Sequence, residues 1–498
     1  MNILIIVGVI VALVGLSIFL FASVFSRKVK KKITAGEWVP EKEKKQKRLR
    51  TWTYIGSIVT ILAFAFTLVF GFWPKPAKLE KETEQRIQRI EKESKEANEN
   101  IKRIEKELGI PIYVDGLPSA DSSVFDPFAE GLKLIRVYKW DEAISKFQKA
   151  MKEAKGSQLV ALFNLVAICY YTSGRFSLAL ENCERALDLA RQFNDKEGEA
   201  KVLGNIGLIY YDKGDMDQAL EYHQKALKID KEIGFREGEA SALGNIGNVY
   251  SLKGDLDQAL KYHQEALKIH KEIGFRKGEA SDLGNIGLIY RDKGDLYQAL
   301  KYLEEALKIH QEIAFRQGEA IGLGNIGVIL KDKGDLNQAL KYTEEALKID
   351  KEIGFREGEA SALGNIGIIY QAKGALNKAL KCFEDALKIY KEVGLRQGEA
   401  ITLDNLGLIY QDKGDLEQAL KYHQNALKIH REMGSRQGEA SDLNNIGLVY
   451  EAKANLEQAS NCYNEALEIF EEIGMPEQIG IAKGNIERIS QQMKKQNK

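Results

Sequence analysis

The chain has few of the residues and motifs on which catalysis and metal binding depend. Its four cysteines, Cys169, Cys183, Cys382 and Cys462, lie far apart and form no CxxC pair or other metal-ligand spacing. It has no glycine-rich phosphate loop, no HExxH and no GxSxG motif. The sequence therefore predicts no enzyme, no cofactor and no metal site.

Net charge is absent as well. The 72 Lys and Arg residues balance 72 Asp and Glu residues. No overall field attracts nucleic acid, so we expect no nucleic-acid partner. The asparagines include no Asn-x-Ser/Thr sequon, which weighs against a eukaryotic secretory lumen and favours a prokaryotic protein.

Two long stretches near the start of the chain contain no charged side chain, residues 3–25 and 51–73. A helix of about 20 apolar residues spans a bilayer core of about 30 Å. We therefore predict one transmembrane helix over 1–26 and a second over 51–73. A cleaved signal peptide is the alternative for the first, but the segment lacks a basic n-region and exceeds the roughly 7 to 15 residues of an h-region.

The loop between these segments, 27–50, carries eleven Lys or Arg against three Glu. Such a composition favours the cytoplasmic side. The sequence thus predicts a cell-membrane protein with two spans and an extracytoplasmic C-terminal domain. The segment after Trp73 is also rich in Lys, so a domain that faces the cytoplasm stays open as the alternative.

A charged helix, or stalk, is predicted over 74–108, where small and apolar residues recur at steps of three and four. The positions of this heptad pattern are Ile87, Ile90, Ser94, Ala97, Ile101, Ile104 and Leu108. The interpretation stays open between a single solvated helix with Glu–Lys pairs and a coiled coil through which copies of the chain would form a homo-oligomer. Residues 109–126, with Pro111 and Pro118, are predicted to be a linker.

From 127 to 475 the sequence repeats about nine times with a period of 40 residues. Each repeat has two segments with helical apolar periodicity, helix A and helix B, around a Lys-Gly-Asp turn. Gly214 would end helix A and Asp215 would cap helix B, with Gln218 completing a capping box. Residues 476–498 are predicted to be a C-terminal capping helix. The pattern predicts an all-α solenoid.

The spacing of small and large residues resembles that of the tetratricopeptide repeat. In the repeat around residue 205 these residues are Leu203, Ile206, Gly207, Tyr210, Gly214, Ala219, Tyr222, Ala226 and Ile229. The 40-residue period is similar to that of long-helix members such as Pins/LGN-type scaffolds, kinesin light chains and Rap-type regulators. The resemblance implies a right-handed superhelix with helix A on its concave face, and a protein or extended peptide as partner.

One position of helix A is asparagine in seven consecutive repeats: Asn205, Asn245, Asn285, Asn325, Asn365, Asn405 and Asn445. The resemblance implies that it faces the groove and holds a peptide backbone, to which a carboxamide offers both a donor and an acceptor. Further binding residues are predicted at Asn248 and at the acidic Asp212, Asp292, Asp332 and Asp412. Two alternatives stay open: the asparagines bridge neighbouring helices, or they recur because the repeats are copies of one another.

The six histidines occupy two positions of helix B, which we interpret as aromatic or polar surface positions of the repeat. Arginines such as Arg236 recur three residues before a glutamate, which predicts a salt-bridge ladder between repeats. Three functional hypotheses follow: a membrane-anchored scaffold or adaptor that binds a protein partner, a cytoplasm-facing regulator of the Rap or Pins type, and a structural subunit of an enzyme complex.

Overall fold

The computed structural model describes residues 92, 95–97, 99–101 and 124–496. Between 124 and 496 the regular secondary structure is entirely α-helical and consists of nineteen helices, arranged as nine hairpins and one final helix. The predicted segments 1–26, 27–50 and 51–73, and most of 74–108 and 109–126, lie outside the described residues.

Odd-numbered helices are the A helices of the repeats and even-numbered helices are the B helices. The helices are α1 Phe125–Ile135, α2 Trp140–Met151, α3 Ser157–Thr172, α4 Phe176–Gln192, α5 Lys196–Lys213, α6 Met216–Ile233, α7 Arg236–Leu252, α8 Leu256–Ile273, α9 Arg276–Asp292, α10 Leu296–Glu312, α11 Arg316–Asp332, α12 Leu336–Ile353, α13 Arg356–Ala372, α14 Leu376–Val393, α15 Arg396–Asp412, α16 Leu416–Met433, α17 Arg436–Ala452, α18 Leu456–Glu472 and α19 Pro476–Gln496.

The predicted location, a cell membrane crossed twice with an extracytoplasmic C-terminal domain, is corrected by this structure. Among the described residues, no helix is both long enough and apolar enough to cross a bilayer. The longest, α19, has 21 residues but carries charged side chains from Glu477 to Lys495. The segments 1–26 and 51–73, on which the prediction rested, are not among the described residues.

The turn between helices A and B follows the predicted N-cap chemistry in six of the nine hairpins, and Lys139, Arg175 and Ala375 provide no side-chain cap in the other three. Gly214 ends α5 in the left-handed region, with φ of 88°, where a Cβ is disfavoured. Asp215 then caps α6, since its Oδ1 accepts a hydrogen bond from the Gln218 backbone N–H at 3.1 Å. Equivalent caps recur at Asp255, Asp295, Asp335, Asp415 and Asn455. Local turn chemistry thus sets the hairpin spacing.

Helices A and B of a repeat approach each other closely at a glycine. A Cβ on Gly207 would lie 2.5 Å from Cε1 of His223, which is well inside van der Waals contact. Ala219 and Ala226 on helix B are 0% and 3% exposed. Small residues let the backbones approach, and larger residues such as Ile206 fill the remaining space. Because each repeat buries its apolar face against its neighbours, the core runs along the whole solenoid.

The solenoid returns to contact itself after about six repeats. Trp140 Nε1 donates to Val393 O at 3.0 Å across 253 residues, and Ser435 Oγ donates to Asp212 O at 3.2 Å across 223 residues. Met433 belongs to the same buried cluster as the apolar residues of α3, α4 and α5. Successive superhelical turns are therefore in contact.

The described end of the predicted stalk packs on the first hairpin. Ala97 and Ile101, two positions of the heptad pattern, are buried in one cluster with Phe128 of α1. Arg136 Nη1 donates to Asn100 Oδ1 at 2.8 Å. The side chains at these two heptad positions thus pack against other residues of the same chain. A homo-oligomer through the remainder of 74–108 stays a prediction about residues that the structure does not describe.

Candidate functional site

The A helices of neighbouring repeats lie side by side and share one face, which we name the A face. Several hydrogen bonds join such helices at positions 41 residues apart. Tyr171 Oη donates to Asp212 Oδ2 at 2.7 Å, and Gln371 Nε2 donates to Asp412 Oδ2 at 2.7 Å. A residue on one A helix therefore faces the residue 41 positions later on the next.

The predicted asparagine ladder runs along the A face, and the same position of the final helix α19 is Asn485. Hydrogen bonds hold the first residue of the ladder and Asn485, which we take as the two ends of the row. Asn205 Nδ2 donates to Asn164 Oδ1 at 2.8 Å. Asn485 Nδ2 donates to Asn444 Oδ1 at 2.9 Å. Both pairs have the 41-residue offset. At these two positions the asparagine bridges neighbouring helices, which is one of the alternatives that the sequence leaves open.

The asparagines between the ends have a different environment. In the part of the chain that the structure describes, none of their side chains makes a hydrogen bond, and each is half-buried with its amide accessible from the A face. The six residues are Asn245, Asn285, Asn325, Asn365, Asn405 and Asn445. Their donors and acceptors are available to a ligand.

Glycine accounts for the difference. The residue 41 positions earlier is glycine opposite five of these asparagines: Gly204, Gly244, Gly284, Gly324 and Gly364. A Cβ on Gly204, Gly284 or Gly364 would meet nothing within 4 Å. On Gly324 the only near atom would be Nδ2 of Asn365, at 3.8 Å. We call these five glycines and the six asparagines the open strip; five of the amides are opposite a glycine, and Asn445 is opposite Asp404.

The glycines of the open strip are the part of the candidate site that the sequence prediction missed. A glycine inside a helix costs about 1 kcal/mol relative to alanine, and the space around Gly284 or Gly364 would accept a methyl group. Packing therefore does not require glycine there. The available signal was a Gly-Asn pair inside helix A of five consecutive repeats.

A cavity of about 250 Å³ opens on the A face next to Asn285. It is lined by Tyr211, Asn248, Ser251, Leu252, His263, Asn285, Leu288, Ile289, Arg291 and Asp292. His263 Nε2 lies 3.1 Å from Asn248 Oδ1. If the imidazole donates, the amide is oriented with its N–H groups free for a ligand. The structure thus brings three predicted binding residues, Asn248, Asn285 and Asp292, to one cavity.

All four predicted acidic residues of the groove have partners within the chain, two of them cationic and two neutral. Asp212 accepts the hydrogen bond from Tyr171, and burial raises the pKa of its carboxyl. Asp292 pairs with Arg291 at 2.7 Å and Asp332 with Lys331 at 2.8 Å. The fourth residue, Asp412, accepts from Gln371. These carboxylates are therefore weaker candidates for direct ligand contacts than the asparagines.

All six histidines are buried, contrary to the expectation of surface positions. They are His223, His263, His270, His310, His423 and His430. The first of the two histidine positions on helix B packs against the helix-A glycine at which the two helices of a repeat approach closely. His223, for example, packs against Gly207. The second lies against a glycine at the start of the next A helix, as His310 does against Gly318. Burial lowers the pKa of both His223 and His310 to about 4.

The arginine ladder forms, but within repeats. Arg276 Nη1 donates to Glu279 at 2.5 Å, and its Nη2 donates to Glu312 at the end of helix B of the same repeat at 2.7 Å. Other ion pairs link neighbouring repeats, as between Lys253 and Asp217 at 2.7 Å. Each arginine thus ties the two ends of its own hairpin together.

Cys169 and Cys183 are free thiols in the structure. Both are fully buried, and burial raises the pKa of Cys183 to about 12. Such thiols behave as small apolar core residues.

The fold and the open strip define a class: a helical-repeat solenoid with a row of accessible amides along its A helices. A family model described as Tetratricopeptide repeat matches residues 157–232, 198–272, 238–312, 278–352, 318–392 and 398–472. Because these matches cover more than half of the chain, the chain belongs to the tetratricopeptide-repeat family.

Several solved structures resemble the chain. The Rap protein complexed with Competence and Sporulation Factor is 18% identical over 71% of this chain and 99% of that chain, with a TM-score of 0.45. Aspartyl phosphate phosphatase F from Bacillus subtilis is 14% identical over 72% and 97%, with a TM-score of 0.45. BtubC (BKLC) from P. vanneervenii is 20% identical over 44% and 92%, with a TM-score of 0.38. The likeness is one of fold alone. A comparison with curated proteins gave no match.

Proposed function

We propose that the chain is a protein-interaction scaffold that binds an extended peptide segment of a partner protein along the open strip. The observation that carries the proposal is the row of six amides with no hydrogen-bond partner among the described residues, five of them opposite a glycine. An extended backbone presents donors and acceptors at regular intervals, and one carboxamide can serve both groups of a peptide unit. Each hydrogen bond would contribute about 0.5 to 1.5 kcal/mol net.

Apolar side chains flank the open strip and indicate what else the peptide carries. Ile321 and Ile401 precede Asn325 and Asn405 by one helical turn, so they lie on the same face of their helices. They are 51% and 50% exposed, unusual for isoleucine inside a folded helix array. Leu288, one turn after Asn285, is half-buried at the edge of the cavity. We therefore propose a partner segment with apolar side chains and a backbone read by the asparagines.

The experiment that tests this function is selection of peptides from a random displayed library on the purified full-length chain. Synthetic versions of a selected peptide are then methylated at one backbone nitrogen at a time. Because methylation removes a backbone donor and leaves the side chains unchanged, we expect several positions at which the affinity falls about 3-fold or more. Enrichment of no peptide, or a peptide whose affinity is indifferent to backbone methylation, would contradict the proposal.

A further inference from the structure

Two aspartates and two histidines meet between α15, α16 and α17. Asp404 Oδ1 lies 2.6 Å from His423 Nδ1, and Asp442 Oδ2 lies 2.6 Å from His430 Nδ1. One ligand atom from each of Asp404, His430 and Asp442 lies within 4.8 Å of the other two. Three consecutive helices thus contribute potential metal ligands to one point.

The cluster is buried and its hydrogen-bonding capacity is incompletely used. Asp442 is 0% exposed and His430 is 3% exposed. In the described structure, Asp442 Oδ1 and the Nε2 atoms of His423 and His430 have no hydrogen-bond partner. Two neighbouring buried carboxylates repel each other unless a proton or a cation lies between them.

Other charged groups do not balance the pair of carboxylates. Arg431 and Glu439 act on Asp442 with opposite signs. They already pair with each other, with Arg431 Nε 2.8 Å from Glu439 Oε1. Arg431, the cation that acts on Asp442, is therefore already paired with Glu439.

The chain contains an internal comparison for this cluster. Each repeat has forty residues, so the equivalent positions can be found four repeats earlier in the chain. There, the positions of His423, His430 and Asp442 are occupied by His263, His270 and Asp282. His270 Nδ1 is 2.6 Å from Asp282 Oδ2, and His263 Nδ1 is 3.9 Å from Asp282 Oδ1. The position of Asp404 is filled there by glycine, Gly244. The cluster at Asp404 therefore has the same two imidazoles and one carboxylate more than the cluster at Asp282.

We propose that Asp404, His430 and Asp442 bind a divalent transition-metal ion, with His423 orienting Asp404. Two carboxylates neutralise the ion's charge, and an imidazole ligand favours Zn²⁺ and similar metals over Mg²⁺ or Ca²⁺. The His423–Asp404 hydrogen bond is the kind of outer contact that fixes a ligating carboxylate. Asp404, with 16% of its side chain exposed, gives the ion a path from the A face. The site departs from the sequence expectation of no metal, because its ligands are brought together only by the fold.

The site is tested with Zn²⁺ alone on the purified full-length chain, first stripped with a chelator and then dialysed against Zn²⁺. Wild-type protein is expected to retain one ion more per chain than Asp404→Gly, measured by elemental analysis. That substitution restores the residue found at five equivalent positions. Asp404→Asn, the residue type of Asn164 and Asn444, serves as a second variant and should also lose the ion. Equal Zn²⁺ content in wild type and both variants would overturn the proposal.

A gain of binding provides the converse test. A Cβ on Gly244 would lie 3.8 Å from Asp282 Oδ1 and 4.0 Å from His263 Nδ1, which are ordinary contact distances. Gly244→Asp should therefore add the missing carboxylate without a clash and raise the Zn²⁺ content by one ion per chain. Zn²⁺ should also raise the Tm of the proteins that bind the additional ion, because an ion that binds only the folded chain stabilises it. A folded Gly244→Asp protein with unchanged Zn²⁺ content would contradict the assigned role of Asp404.

Discussion

Two glycines of α13 are predicted to respond in opposite directions to the same substitution. Gly364 belongs to the open strip, and a Cβ there would meet nothing within 4 Å. Three residues later, a Cβ on Gly367 would lie 2.8 Å from Cε1 of Phe383. The ring of Phe383 is 0% exposed and closely packed, so it cannot move aside without disturbing the core.

The magnitudes follow from helix propensity and overpacking. Gly364→Ala should raise the free energy of unfolding by about 0.5 to 1 kcal/mol, because alanine is the better helix former and its methyl group meets open space. Gly367→Ala gains the same propensity but adds overpacking, which costs about 1 to 3 kcal/mol. Since the clash is with a rigid ring, we expect a net loss of about 1 to 2 kcal/mol.

The assay is urea unfolding of the full-length variants, followed by far-UV circular dichroism, with hydrogen exchange of the α13 amides as the local readout. If Gly364→Ala destabilises the fold as much as Gly367→Ala, the space beside the strip is not open and the reasoning fails. A selected peptide should bind Gly364→Ala more weakly than wild type, although the variant is more stable. Higher stability together with weaker peptide binding would indicate that glycine at position 364 serves binding rather than stability.

Three further predictions concern stability. Burial raises the pKa of Asp350 to about 7, above its unfolded value of about 3.9, so wild-type stability should fall as pH rises through this window. Between pH 5 and pH 8, the free energy of unfolding of the Asp350→Asn variant should fall by roughly 2 to 3 kcal/mol less than that of the wild type, as measured by urea unfolding. Arg356→Ala, at a solvent-exposed salt bridge, should cost less than about 1 kcal/mol, and less still in high salt. Trp140→Phe removes the hydrogen bond to Val393 O and should cost about 1 kcal/mol, with faster hydrogen exchange around residue 395.

Much of the fold could be predicted because its determinants are local. The positive φ of Gly214 and the side-chain cap of Asp215 lie within a few residues of the turn that they build. A 40-residue period then repeats the same hairpin. The contact between Trp140 and Val393 could not be predicted, because it depends on small rotations accumulated over about six repeats.

The candidate site could be predicted in part. The asparagine positions could be identified from the sequence. Whether an amide bridges two helices or is free could not be predicted, because it depends on the residue 41 positions earlier on the neighbouring A helix. Asn205 faces Asn164 and is satisfied, whereas Asn365 faces Gly324 and is not. Burial of the histidines could not be predicted from helix B alone, because a polar residue on an amphipathic helix is usually exposed. The glycine opposite, Gly207 for His223, was the available signal.

The measurement that tests the central claim most directly is the affinity of a selected peptide for the triple variant Asn285→Ala, Asn325→Ala and Asn365→Ala. Asn425→Ala, on the exposed side of helix α16, is the matched control. At about 0.5 to 1.5 kcal/mol for each hydrogen bond, the triple variant should bind at least about 10-fold more weakly, with the control unchanged. Equal affinity of the triple variant, the control and the wild type would show that the open strip does not hold the partner.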